Sequence, residues 1–127
     1  MGLEQINTDA APAAIGPYSQ GVKAGDFCYF SGQIPLDPVS MEIVGPGIEA
    51  QTEQVMANMK AALAGAGLSY ANVVKTTLFL TDLNDFGVVN GIYGNRLDPH
   101  RPARATVQVA ALPKGAKIEI EWVAYCG

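Results

Sequence analysis

The sequence predicts an α+β protein, a mixed β-sheet with two helices packed on one of its faces. Three observations predict it. Short runs rich in β-branched and aromatic residues, such as "FCYF" and "VVKTTLFL", read as strands. Two longer stretches repeat their apolar residues at helical spacing. The resulting order, ββ(β)αβαββ, lacks the regular strand–helix alternation of a parallel α/β protein. At 127 residues, with no internal repeat or low-complexity linker, the chain is expected to form one domain spanning 1–127.

Each element has its own local cause. Residues 20–24 and 27–31 flank Gly25-Asp26, and glycine at the first loop position suits a type II′ hairpin turn. Pro35 and Pro38 lack N–H donors and interrupt the pairing, after which a short third strand is expected around 41–44. Ile48, Val55, Met56, Met59, Ala62, Leu63 and Ala66 share one face of a helix that Pro46-Gly47 opens and Gly65 and Gly67 close. Residues 73–80 form the next strand. "TDLNDFGVVNGIYGNRL" predicts the second helix, capped by Asp82 or Asn84, with Phe86, Val89, Ile92, Tyr93 and Leu97 facing inward. Its three glycines each cost about 1 kcal/mol relative to alanine. Strands at 104–110 and 117–124 complete the chain, joined across "LPKGA".

Two helices cover one face of such a sheet and leave the other open. Yet "FCYF" is apolar on both sides, with Phe27 and Tyr29 on one and Cys28 and Phe30 on the other. Leaving apolar surface wet costs about 25 cal/mol per Å². The simplest cover is another copy of the chain, so an oligomer is expected. Loops folded over the sheet are the competing arrangement.

Composition excludes several functions. Nearly half the residues are hydrophobic (49%) and 16% are charged, which rules out a disordered tail or a coiled coil. A net charge of −4 without a Lys/Arg run argues against nucleic-acid and membrane-surface partners. Cys28 and Cys126 form no CxxC or Cys/His cluster, so no metal site is expected. The two could make one bridge. Without a secretory apolar region, they are expected to be reduced thiols in a cytoplasmic or organellar protein, the cytoplasm being the expected compartment.

The residues able to carry chemistry cluster late in the chain. "RPARATVQVA" places Arg104, Thr106 and Gln108 on one side of a strand and Ala105 and Val107 on the other. A strand arginine is ordinarily solvated. Arg104, however, stands between two alanines, which leave room for a ligand, and a guanidinium grips a carboxylate in bidentate fashion where lysine does not. If 104–110 pairs with "KIEIEW", then Glu119 joins Arg104 and Thr106 in one neighbourhood and could handle protons or orient a water. Its ordinary role would be a cross-strand ion pair worth under about 1 kcal/mol. Tyr18 sits in a Gly/Pro loop, Ser31 ends a strand before glycine, and Asn90 lies inside the second helix. Each has an ordinary reading as a surface, turn or exposed helix residue. His100 has no recognisable partner in the sequence and is read as a loop residue.

The blocks "APAAIGPYSQGV", "SGQIPLDP", "VVKTTLFLTDLNDFGVVN" and "PARATVQVAALPKGAKIEIE", in this order, resemble the reactive-intermediate deaminase (RidA/YjgF) family. The resemblance covers almost the whole chain, and the "PAR" arginine places it nearest the RidA subfamily. It implies a chorismate-mutase-like α+β fold, a homotrimer with sites at subunit interfaces, and no cofactor. It implies hydrolysis of 2-imino and enamine acids, such as 2-aminoacrylate and 2-iminobutanoate, to 2-oxo acids and ammonia. By resemblance Arg104 holds the substrate carboxylate, Glu119 orders the attacking water, and Tyr18, Ser31, Asn90 and Thr106 line the substrate site. Thr106 stands where cysteine is frequent, Arg101 stands before "PAR" where an apolar residue is common, and the 91–103 connection is shorter than usual. These departures keep a second expectation in view, a non-catalytic small-molecule-binding or chaperone-like trimer. Ribonuclease activity is a third, against which the acidic composition argues.

Overall fold

The computed structural model describes residues 2–127. Six strands form one mixed sheet in the order β1-β2-β3-β6-β4-β5. They are β1 (Leu3–Ile6), β2 (Gly21–Ala24), β3 (Phe27–Gln33), β4 (Val73–Leu80), β5 (Ala103–Gln108) and β6 (Ile118–Tyr125). Helices α1 (Ile48–Gly65) and α2 (Phe86–Leu97) complete the chain. Every pairing is antiparallel except β4 with β5. A parallel pair needs a crossover, and α2 supplies it.

The β2–β3 hairpin closes with Ala24 opposite Phe27, and Gly25 takes φ 62° while Asp26 stays at negative φ, as a type II′ turn requires. Asp82 accepts from the N–H of Asn84 and caps a 3-10 turn, Leu83–Asp85, that runs into α2; the N-cap of α2 itself is Asp85, without a side-chain cap bond, so neither Asp82 nor Asn84 caps the helix. The apolar stripe of α1 lands on the sheet: Val55, Met56, Met59, Ala62 and Leu63 are fully buried against Leu78, Leu80, Ile118 and Ile120. Each large side chain there contributes roughly 1.5–3 kcal/mol through burial. Phe30 and Trp122 stack across β3 and β6 with ring centroids 4.8 Å apart. From α2, Val89, Tyr93 and Leu97 enter the same core, and the Tyr93 hydroxyl shares a buried 2.6 Å hydrogen bond with Thr76 of β4.

Three further expectations need correction, and one strand lies beyond them. Residues 41–44 form no strand; a single Leu36–Ile43 bridge remains, because Asp37 folds the segment on itself. Its carboxylate accepts from the N–H groups of Val39 and Ser40, and Met41 turns to φ 60°. Leu3–Ile6, unforeseen, adds an edge strand on β2. Phe86 faces outward rather than into the core. The last two strands do not pair with each other: β4 lies between them.

No helix packs on the second sheet face, and loop residues such as Tyr18 and Lys114 border it beside Glu119. Tyr29 is 51% exposed, and Phe27, Val107 and Tyr125 are also open, so the loops do not serve as its cover. No helix among the described residues is long and apolar enough to cross a membrane.

Candidate functional site

The residues singled out above fall into two groups, and the strand register decides which can meet. Arg104 lies opposite Thr76 and Thr106 opposite Leu78, both on the buried, helix-covered face of β4. Glu119 lies opposite Phe79, which in turn lies opposite Val107. Successive side chains of a strand alternate between faces. Glu119 therefore projects from the open face, while Arg104 and Thr106 project on the helix side. The expectation that these three share one neighbourhood fails within a single chain, because β4 intervenes and the parity is opposite.

Arg104 is exposed yet held. Its Nη1 donates to Oδ1 of Asn90, one α2 turn before Tyr93, at 2.7 Å. The guanidinium carbon stands 5.2 Å from the centroid of Tyr93 and 5.4 Å from that of Phe86. Both distances suit cation–π attraction. The outward Phe86 is thus part of the cradle of the arginine, a role its place in the apolar pattern hid. No carboxylate pairs with Arg104; the ion pairs among the described residues are Arg96–Glu53 and Arg101–Asp98. Asn90, Tyr93, Arg101 and Arg104 line a cleft of about 540 Å³. Thr106 Oγ1 is buried and has no hydrogen-bond partner among the described residues.

The second group surrounds another cleft, of about 380 Å³, lined by Tyr18, Ser31, Gly32, Lys114 and Glu119 among others. Gln20 shapes it, and the sequence offered no sign of this. Its buried side-chain amide accepts from the N–H of Thr8 and donates to the carbonyls of Thr8 and Pro12, which fixes the segment leading to Tyr18. Ser31 donates through Oγ to the carbonyl of Ser19 at 2.6 Å, tying that segment to the end of β3. Where β3 bulges, Gly32 gives way to Glu119: a Cβ there would overlap the carboxylate, standing 2.8 Å from Glu119 Cδ. Among the described residues Glu119 has no ion pair; partial burial, and then the like charge of Glu121 two residues on, hold its carboxyl above the ordinary range. A proton acceptor tuned upward in this way suits general acid–base work. His100, outside both clefts, hydrogen bonds through Nε2 to the carbonyl of Val73 at 2.6 Å.

Known proteins share this architecture. A protein named DfrA from Myxococcus xanthus is 54% identical over 126 residues, covering 98% of this chain and 96% of its own. The human 2-iminobutanoate/2-iminopropanoate deaminase is 51% identical over 122 residues, covering 96% of this chain and 89% of its own. The crystal structure of E. coli TdcF with bound serine superposes with a TM-score of 0.92 at 44% identity, covering 98% of this chain and 99% of that one. Residues 8–126 match the family model described as endoribonuclease L-PSP. That match, together with the full-length identities, makes the chain a member of the reactive-intermediate deaminase (RidA/YjgF) family.

Proposed function

We propose that the protein hydrolyses small 2-imino acids and their enamine tautomers, such as 2-iminobutanoate and 2-aminoacrylate, to 2-oxo acids and ammonia. The observation that carries this reading is the state of Arg104: aimed by Asn90, flanked by two rings, and left without a protein carboxylate. A cation so held can receive a carboxylate on its remaining N–H groups through charge-assisted bonds. The names of the deaminase relatives and the serine bound to a similar fold point to the same chemistry.

An iminium carbon is already electrophilic, so positioning is most of the task. Arg104 holds the carboxylate, with Asn90 and Thr106 beside it. Water gives a proton to Glu119 and bonds to the iminium carbon. Glu119 returns that proton to the carbinolamine nitrogen, the hydroxyl proton passes to Glu119 as the C=O bond forms, the C–N bond breaks, and ammonia leaves a 2-oxo acid. An enamine first takes a proton on carbon. Tyr18 and Ser31 border the same substrate.

Since Arg104 and Glu119 lie on opposite faces of one sheet, this chemistry needs two chains. We place each site at an interface of a homotrimer whose open sheet faces meet, which also covers Phe27 and Tyr29. The reading puts the protein in the cytoplasm, beside pyridoxal-phosphate enzymes that release such imines. The net charge of −4 argues against RNA as the substrate.

The test generates imino acid with a dehydratase and follows 2-oxo acid release. Arg104→Lys should lose about a hundredfold in acceleration, the cost of one or two charge-assisted hydrogen bonds. Undiminished acceleration would overturn the role. Saturable 2-oxo acid binding by the wild type without acceleration would instead establish the binding-protein reading.

A further inference from the structure

Cys28 and Cys126 belong to neither cleft described above. Cys28 lies on the helix side of β3, opposite Lys23 of β2 and Ala124 of β6. The chain continues past β6, where the N–H of Cys126 donates to the carbonyl of Asp26 at 2.7 Å. This backbone bond brings residues 98 apart in sequence side by side, and the Cys28 thiol donates to Cys126 Sγ at 3.3 Å. Both sulfurs are free. They border a cleft of about 590 Å³ whose other walls include Glu4, Lys23 and Gly67. It opens beside the C-terminal end of α1, on the opposite side of the sheet from the exposed Phe27 and Tyr29. The pair thus stays reachable when the open face is covered.

We infer that Cys28 and Cys126 form a dithiol site that a hydroperoxide converts to an intramolecular disulfide. The two sulfurs have distinct parts. Cys28 is fully buried, and burial followed by its bond to Cys126 pushes its thiol up to about 11. Cys126 is half-buried and borders the cleft, so it meets the oxidant first. Its thiolate bonds to the peroxide oxygen, the O–O bond breaks, and water (or an alcohol) departs, leaving a sulfenic acid. Cys28 sulfur then bonds to Cys126 sulfur, the S–O bond breaks, and the thiol proton leaves with hydroxide as a second water. Two thiols and one hydroperoxide give one disulfide, with two electrons passing to the peroxide. This inference depends on neither the imino-acid substrate nor the trimer.

The reduced full-length protein is exposed to hydrogen peroxide, denatured, alkylated and weighed intact. The expected product has lost two hydrogens, resists alkylation until dithiothreitol is added, and yields a peptide linking position 28 to position 126. Cys28→Ser should stop at the sulfenic acid, trapped by dimedone on Cys126. Cys126→Ser should leave Cys28 reduced and alkylatable after the same exposure. Two alkylatable thiols after exposure, oxygen added to Cys126 of the wild type without a link, or disulfides only between chains would each overturn the inference.

Discussion

Glu119 carries opposite consequences for activity and stability, and both follow from one perturbed carboxyl. Burial and Glu121 hold its folded-state pKa above the unfolded value. Its contribution to stability is therefore fully present below the unfolded pKa and is lost as pH rises through the folded one. At neutral pH the ionised side chain is a cost. Measured on the monomer, in a Tyr29→Arg background, Glu119→Gln should raise Tm at pH 7, with the gain vanishing below about pH 4, where both carry a neutral side chain. The same substitution in the wild-type background should lose imino-acid hydrolysis at pH 7. Calorimetry and rate measurements across pH check the pair; a lowered Tm at pH 7 would refute the account. The sequence held the identities of Arg104, Asn90 and Glu119 but not their relation. That Arg104 leans on Phe86 and Tyr93 could not be read, because an aromatic at a helical period looks like core whichever way it points.

At the scale of elements, legibility followed periodicity. Helices α1 and α2, the β2–β3 hairpin and β4 each announce themselves by apolar spacing or a glycine turn, and each stands where expected. Strand partners are different. β5 and β6 both alternate, and alternation is blind to which neighbour a strand takes, so the insertion of β4 between them left no trace. β1 was silent because Ile6 alone of its four residues is buried. Gln20 was silent because a buried amide is written like an exposed one. It joins the segment after β1 to the start of β2. Gln20→Ala strands several of those backbone groups and should cost about 2–3 kcal/mol in urea unfolding. Because the segment carries Tyr18, the variant should also raise KM more than it lowers kcat. An unchanged KM at reduced stability would separate the segment from the site.

For the molecule as a whole, the uneven sheet is the governing fact. One face is sealed by α1 and α2; the other leaves Tyr29 and Tyr125 about half exposed. Apolar area on that scale favours association at about 25 cal/mol per Å² before the entropy of assembly is counted. In the proposed homotrimer, Tyr29→Arg places a guanidinium at each interface and removes an aromatic anchor. Sedimentation velocity should show it falling from trimer to monomer with its far-UV circular dichroism retained and its hydrolysis lost. A trimer that persists with full activity would move the interface elsewhere.

The opposed directions of Arg104 and Glu119 bear on how such a protein comes to life. In the proposed homotrimer, a newly synthesised chain is equipped with halves of two different reaction chambers and owns neither outright. On this reading, it is inert until it meets its siblings, and dilution alone would silence it while every strand stayed in register.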